Sequence, residues 1–315
     1  MDNHCDYLLI GANGLIGSAV AKELDSARSS QSTRSSTSPC HWVGTSFKRG
    51  SGRFQVLDIT DRDNVKNILH TLKPKSVVLA ANLAGGAEFA QSHPDSAKKF
   101  YYEATQNLGE HCLRQKARFI FISTECVFDG KKEIYQEDDE PNPLNLYGQW
   151  KVESEMWIKK NLKDYIIVRT MSVFGWQPET VTPNAVMKTY FSILKKEKIF
   201  VPTFRWGMPT YVQDLAKAMV ELSLSSAQGT YHVAGSTYIN RYEWLRKVCN
   251  AMEWDSSWLC PQNEIPPGAV PYPLKIRLDT QKFRQHYQTK LHSLEEAIPM
   301  LKTDIRQQVA MSGSL

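Results

Sequence analysis

The first 170 residues alternate short apolar runs with stretches of helical spacing. Tyr7-Leu8-Leu9-Ile10, Phe119-Ile120-Phe121-Ile122 and Tyr165-Ile166-Ile167-Val168 are apolar at every position. A strand apolar on both faces must be covered on both, which is the situation of a parallel sheet between helices. Residues 42–47, 54–57 and 76–80 read as further strands, and residues 15–24, 61–72, 94–114 and 146–160 as helices, with Asp61 set to cap its own. Right-handed crossovers then give an α/β fold with a doubly wound parallel sheet. Beyond residue 175 the pattern loosens: 210–224 and 240–252 read as helices, with Asn240 a cap, 230–233 as a strand, and the Pro-rich 261–273 as extended or turn. Residues 26–38 hold serine at seven of thirteen positions and read as a flexible surface loop.

Composition narrows the function classes. The chain has 315 residues, 42% hydrophobic and 23% charged, which is ordinary for a globular protein. The net charge of +5 comes with no long basic run, so nucleic acid is not an expected partner. No stretch approaches the ~18 apolar residues of a membrane span. Six scattered cysteines (Cys5, Cys40, Cys112, Cys126, Cys249, Cys260) include no CxxC pair. They suggest reduced thiols in a cytoplasm rather than a disulfide scaffold or a metal site. The N-terminus shows no signal-peptide pattern.

Three motifs carry chemistry. Gly11-Ala12-Asn13-Gly14-Leu15-Ile16-Gly17 follows the first strand and opens the first helix. Glycines there allow a tight turn and bring a diphosphate close to N–H groups at a helix N-terminus. The second strand ends in Thr45-Ser46-Phe47-Lys48-Arg49, with no acid to accept from a ribose 2′-hydroxyl. Ser46, Lys48 and Arg49 suit a 2′-phosphate, so NADP(H) is expected over NAD(H). Asp58 either contacts the adenine or caps the following turn. Third, Tyr147 and Lys151 are four residues apart and share a helix face. A nearby ammonium favours phenolate and makes the tyrosine a usable acid near neutral pH. Ser123-Thr124 ends a strand about two dozen residues upstream, at the sheet edge where α/β ligands bind.

These residues resemble the extended short-chain dehydrogenase/reductases, and more narrowly the dTDP-4-dehydrorhamnose reductase group, which also holds the regulatory β subunit of methionine adenosyltransferase. The glycine turn, Leu57-Asp58-Ile59-Thr60-Asp61, Ser123-Thr124-Glu125-Cys126-Val127-Phe128-Asp129-Gly130, Pro143-Leu144-Asn145-Leu146-Tyr147-Gly148, Val168-Arg169-Thr170, Pro209-Thr210-Tyr211-Val212-Gln213-Asp214 and Arg277-Leu278-Asp279-Thr280 carry the likeness. It implies a Rossmann-type domain over residues 1–175 plus 208–235, and an interleaved, smaller C-terminal substrate domain over 176–207 and 236–315. It implies Tyr147 as proton donor, Lys151 on the nicotinamide ribose and Thr124 as third member of the triad. Gly11, Asn13, Gly14, Leu15, Ile16, Gly17, Ser46, Lys48, Arg49, Asp58, Ile59, Ala80, Ala81 and Lys151 would hold the cofactor. Glu125, Cys126, Arg205 and Trp206 would face the substrate, with no metal. Arg169 is open between a site role and a structural ion pair.

The sequence departs from the family pattern around the substrate. Glu125 and Cys126 stand where aspartate and tyrosine are usual, Gly85 and Gly86 where a threonine and its neighbour are, and Tyr101 where an asparagine is. Tyr272-Pro273 replaces Arg-Pro. The leading expectation is an NADPH-dependent reductase of a nucleotide-linked keto-deoxysugar. A non-catalytic NADP-binding regulatory subunit is the second, and a nucleotide-sugar epimerase or dehydratase ranks lower, because Thr124-Glu125-Cys126 carries one acid only. A homodimer and docking to a partner enzyme are both open.

Overall fold

The computed structural model describes residues 5–31, 41–47, 53–177 and 182–312. In chain order the first part runs β1 (Tyr7–Ile10), α1 (Leu15–Gln31), β2 (Trp42–Ser46), β3 (Gln55–Val56), α2 (Arg62–Leu72) and β4 (Ser76–Leu79). Next come α3 (Gly86–Ser92), α4 (Pro94–Lys98), α5 (Ala104–Gln115), β5 (Arg118–Thr124), α6 (Leu146–Asn161) and β6 (Tyr165–Thr170). Then follow β7 (Val173–Phe174), α7 (Ala185–Leu194), β8 (Ile199–Pro202), β9 (Trp206–Gly207), β10 (Thr210–Tyr211) and α8 (Val212–Leu224). The chain closes with β11 (Gly229–His232), β12 (Ile239–Asn240), α9 (Arg241–Met252), β13 (Leu259–Gln262), α10 (Gln281–His286) and α11 (Leu294–Ser312).

Seven parallel strands form one sheet in the order β11-β6-β5-β4-β1-β2-β3. The expected doubly wound sheet is therefore present. Strand order reverses between β1 and β4, and a crevice opens there at the carboxyl ends of the strands. One face of the sheet packs Leu9, Val78, Ile120 and Val168 under α1 and α8; the other packs Leu8, Val77, Phe119 and Ile167 under α2, α5 and α6. A separate apolar cluster gathers Phe174, Val186, Trp244, Leu245, Val248 and Leu301 from the later elements.

Several elements differ in extent from their sequence signals. Helix α1 continues through Gln31, beyond the expected end near residue 24, and Ser26 bonds back to the Lys22 carbonyl within it. The rest of the serine-rich segment lies outside the described residues. The expected helix over 94–114 is a continuous rod broken by one π turn, Lys99–Glu103. Two side chains take the Tyr101 carbonyl there: Thr105 Oγ1 at 2.7 Å and Ser154 Oγ at 2.8 Å. Asp61 and Asn240 cap α2 and α9 as expected. Helix α3 carried no recognised signal; Gly85 is its N-cap and Gly86 its first residue, at φ +88° and +51°. Those left-handed values explain why glycines stand there.

Arg169 makes a buried ion pair. Its Nη2 lies 2.6 Å from Glu155 Oε2 on α6, with both side chains almost fully buried. Ser123 Oγ on β5 donates to the other Glu155 oxygen at 2.5 Å. Removing one member of such a pair leaves a buried charge unpaired, at about 3–5 kcal/mol. Glu155→Ala should therefore lower unfolding free energy by ~3–5 kcal/mol in urea titration, whereas an effect below ~1 kcal/mol, the range of exposed pairs, would show the pair to be dispensable.

Candidate active site

The glycine turn is built by close approach. Gly11 has φ +84°, and a Cβ on it would lie 2.7 Å from the Ala81 Cα at the end of β4. A Cβ on Gly17 would meet the Gly11 carbonyl oxygen at 2.1 Å. The turn thus seats the N-terminus of α1 against the sheet, where the first N–H groups of a helix lack intrahelical partners. Gln177 ties it from outside, its Nε2 donating to Ser18 Oγ at 2.7 Å and to the Gly14 carbonyl at 3.1 Å.

This turn opens into a cleft of about 1190 Å³. Gly11, Asn13, Gly14, Leu15, Ile16, Ser46, Asp58, Ile59, Ala80 and Ala81 line it, and so do Thr124, Glu125, Cys126, Tyr147, Lys151 and Arg205. Gly17 sits behind the turn. Lys48 and Arg49 lie outside the described residues. Asp58 Oδ1 accepts from Thr60 N and Oγ1 at 2.8 and 2.7 Å, so it caps its turn while also facing the cleft. Thr45 Oγ1 and Thr170 Oγ1 border the cleft, buried and without hydrogen-bond partners. Glycines that leave room for a phosphate and orphaned hydroxyls on the walls fit a dinucleotide such as NADP(H).

The triad residues meet at the far wall. Thr124 ends β5, and Tyr147 lies in the first turn of α6, capped by Asn145, whose side chain accepts from Gly148 N at 2.9 Å. A Cβ on Gly148 would lie 2.2 Å from the Cys126 carbonyl oxygen. This glycine lets α6 close on the turn after β5, so that Tyr147 and Thr124 line the same wall of the cleft. Burial holds the Tyr147 phenol well above its ordinary range, and Tyr101, Cys126 and Glu125 push the same way.

Lys151, one turn further, donates from Nζ to the Ile122 carbonyl at 2.8 Å. The rings of Phe121, Tyr101 and Tyr147 surround its ammonium at 4.5, 5.3 and 6.0 Å. Burial brings its pKa down to about 7, against the pull of Glu155. Tyr101 is buried, donates to Asn82 Oδ1 at 2.9 Å and meets the Tyr147 ring edge-on at 5.1 Å.

Glu125 sits beside the triad, accepting from Thr124 Oγ1 at 2.7 Å. Burial raises its pKa, while Arg205 and Arg241 oppose the rise. The Cys126 N–H donates to the same threonine oxygen at 3.2 Å. The Arg205 guanidinium stacks 4.0 Å over Tyr272, whose hydroxyl donates to Glu88 Oε2 at 3.3 Å. Burial, then the neighbouring Arg205 charge, lowers Arg241 to about 10. Trp206 lines a cavity of about 30 Å³ that shares Glu125, Arg205, Arg241 and Trp244 with the large cleft. Sequence reasoning missed Arg241 as a cleft residue. Arg241 follows the Asn240 cap directly, which placed it in the first turn of a helix but not beside Glu125.

Among the described residues, no group of three His, Cys, Asp or Glu is placed to hold a metal, and no helix is long and apolar enough to cross a membrane.

The sheet order, the glycine turn at the strand reversal and the Tyr–Lys–Thr cluster on one wall define a dinucleotide-binding α/β protein of the reductase type. A family model described as the RmlD substrate binding domain matches residues 6–306, and the chain belongs to that family. Among curated relatives, methionine adenosyltransferase 2 subunit beta of Xenopus tropicalis is 29% identical over 284 residues, 88% of this chain and 81% of the relative. The dTDP-4-dehydrorhamnose reductase of Aggregatibacter actinomycetemcomitans is 30% identical over 198 residues, 60% of this chain and 65% of that enzyme. Among solved structures, dTDP-4-dehydrorhamnose reductase of Bacillus anthracis in complex with NADP shares the fold at TM-score 0.79 and 24% identity, covering 96% of this chain and 99% of that one.

The Lys151 environment sets a stability test. The folded pKa of about 7 lies below the ordinary 10.5, so between those values the unfolded chain binds the extra proton and stability rises with pH. Lys151→Met should stabilise the cofactor-free protein near pH 7, and the gain should shrink toward pH 10. Thermal unfolding across that range reads it; a gain constant with pH would mean that Lys151 stays charged throughout.

Proposed function

We propose that this chain is an NADPH-dependent reductase of a nucleotide-linked keto-deoxysugar, of the dTDP-4-dehydrorhamnose reductase type. One observation carries the reading: Thr124, Tyr147 and, one helical turn on, Lys151 line the same cleft as the glycine turn. Residues 1–175 and 208–235 would hold the cofactor, and 176–207 and 236–315 the substrate. Gly11, Asn13, Gly14, Leu15 and Ile16 would receive the diphosphate, and Ser46, Lys48 and Arg49 the 2′-phosphate, with Asp58, Ile59, Ala80 and Ala81 along the adenosine and Lys151 on the ribose. NAD(H) would bind less well. A bound nicotinamide would supply the hydride chemistry at the keto carbon. Tyr147 gives its proton to the carbonyl oxygen, Thr124 orients that oxygen, and Lys151 stabilises the phenolate left behind. Glu125, Cys126 and Arg205 face the sugar, and Trp206 backs Arg205. The free thiols of the described cysteines suit the cytoplasm.

A proton donor of this kind contributes about 10²–10⁴-fold in rate. Tyr147→Phe should lose ~10²–10⁴-fold in reduction of keto-sugar nucleotides while keeping NADPH affinity within about twofold, read by NADPH oxidation and by fluorescence titration. Parental turnover in that variant would sink the reading. The Lys48→Ala/Arg49→Ala double variant should weaken NADPH about tenfold or more and leave NADH nearly unchanged, since NADH lacks the 2′-phosphate that the two cations would meet. Equal affinity of the parent for both cofactors would count against that assignment.

A second reading is a non-catalytic NADP-binding subunit that docks another enzyme. The likeness to methionine adenosyltransferase 2 subunit beta supports it, as does Tyr101 packed against Tyr147 and Lys151. Co-purification of a stoichiometric enzyme partner, with no NADPH oxidation on any keto-sugar nucleotide, would favour it over reduction. An epimerase or dehydratase ranks lower, because Glu125 is the single acid in the Thr124-Glu125-Cys126 segment.

A further inference from the structure

Residues 80–87, between β4 and the start of α3, line the cleft, and Asn82 is the one polar side chain among their alanines, glycines and leucine. It stands exposed on the cleft wall. A carboxamide is flat and two-ended, with an acceptor oxygen on one branch and two hydrogens on the other. Which end faces the cleft decides what Asn82 can hold there.

The oxygen is taken from behind. Tyr101 is only 2% exposed, and its hydroxyl donates to Asn82 Oδ1 at 2.9 Å. Among the described residues Asn82 is the acceptor this hydroxyl finds, and a buried hydroxyl left unpaired costs free energy. That cost fixes the amide with its oxygen toward Tyr101 and its Nδ2 hydrogens on the open side. Nδ2 makes no hydrogen bond to a described residue.

Tyr101 is itself immobilised. The π turn leaves its carbonyl to Thr105 Oγ1 and Ser154 Oγ, at 2.7 and 2.8 Å. Its ring is wedged edge-on between Phe100 at 5.2 Å and Tyr147 at 5.1 Å, with the Lys151 ammonium 5.3 Å from its centre. Asn82 therefore lies one tyrosine away from Tyr147 and Lys151, at the triad end of the cleft. We propose that Asn82 is a ligand-binding residue whose amide hydrogens meet a neutral hydroxyl or carbonyl oxygen beside Tyr147, and that Tyr101 is the positioning residue that holds the amide in that sense. The inference rests on the reductase reading above for the ligands it names. The oxygen belongs either to the nicotinamide end of the cofactor or to the keto-sugar, because both must come together at Tyr147. An uncharged donor suits either one.

Binding to the full chain tests this without turnover: NADPH by fluorescence titration, and dTDP-4-dehydrorhamnose by calorimetry on the NADP⁺-loaded protein. Asn82→Ala should weaken one of the two about three- to tenfold, the worth of one neutral hydrogen bond. Loss on NADPH assigns the oxygen to the cofactor, and loss on the keto-sugar assigns it to the substrate. Asn82→Asp, which keeps the shape without the amide hydrogens, should weaken the same ligand at least as much. Tyr101→Phe keeps the ring, frees the amide and should weaken that ligand about two- to fivefold.

Stability separates positioning from mere support of the fold. Asn82→Ala leaves the Tyr101 hydroxyl buried and unpaired, so it should also unfold at a lower temperature. The Tyr101→Phe/Asn82→Ala double variant removes both partners and should regain that stability, yet bind ligand no better than Asn82→Ala. A double variant that regains affinity along with stability overturns the proposal, as do single effects that multiply in the double. NADPH affinity within twofold of the parent in Asn82→Ala, with keto-sugar binding equally unchanged or absent, overturns it too. Should Tyr101→Phe not fold, Asn82→Ala and Asn82→Asp decide the matter. A parent that oxidises no NADPH on any keto-sugar nucleotide counts against the reductase reading, while weaker NADPH binding in Asn82→Ala would still support Asn82.

Discussion

The Glu155 carboxylate is the joint on which the candidate site depends. It is buried among three elements that must keep register with one another. Ser123 brings β5, Arg169 brings β6, and Glu155 itself brings α6. Arg169 continues outward to the Glu137 carbonyl and meets the Phe128 ring face-on at 5.0 Å. Thr124 follows Ser123, and Lys151 precedes Glu155 by one helical turn. One buried ion pair therefore fixes the distance between the strand that carries the threonine and the helix that carries the tyrosine and lysine. Such a pair adds little net stability against an apolar replacement, but its geometry is unforgiving, which suits a site that needs its parts held closely.

Around that joint the site separates two kinds of environment. Lys151 is held by carbonyl and aromatic faces, with its pKa brought down to about 7. Cation–π attraction to three rings supports the charged form without offering a proton acceptor. Glu125, on the other side of Tyr147, meets guanidinium groups instead. Tyr147 therefore stands between a cation in an apolar cage and a carboxyl opposite two arginines. The helix glycine Gly148 makes this possible, because any side chain there would hold α6 off the Cys126 carbonyl.

The parts that were legible in the sequence were those whose cause is local. Apolar strands such as Phe119–Ile122 announce a sheet covered on both faces. The glycines at 11, 14 and 17 announce a backbone that must come close to something. Asp61 and Asn240 announced helix starts because capping is a contact between near neighbours. What escaped was set by contacts between distant segments. Helix α3 is short and begins on two left-handed glycines that read as mere departures from a pattern. The π turn at Tyr101 depends on Ser154, 53 residues away. Arg241 shares a cavity wall with Glu125, 116 residues earlier in the chain, and no spacing rule connects them. Trp206, expected at the substrate, lines a small cavity with Glu125, Arg205 and Arg241, which also line the large cleft.

The substituted residues form a set when read in space. Tyr272 lies under Arg205 and bonds Glu88, while Glu88 rides on α3, whose start needs Gly85 and Gly86. Glu125 faces the same arginines and Cys126 packs beside it. Changing the family's arginine to Tyr272 removes one cation from this wall, and Arg205 and Arg241 stand beside the same residues. Neither makes an ion pair within 4.0 Å to a described acid. Burial brings Arg241 down to about 10, and repulsion from the neighbouring Arg205 guanidinium adds to the fall. An anionic or oxygen-rich group entering the cleft relieves that repulsion. The altered wall thus keeps a demand for negative charge next to the triad while changing the shape that meets it.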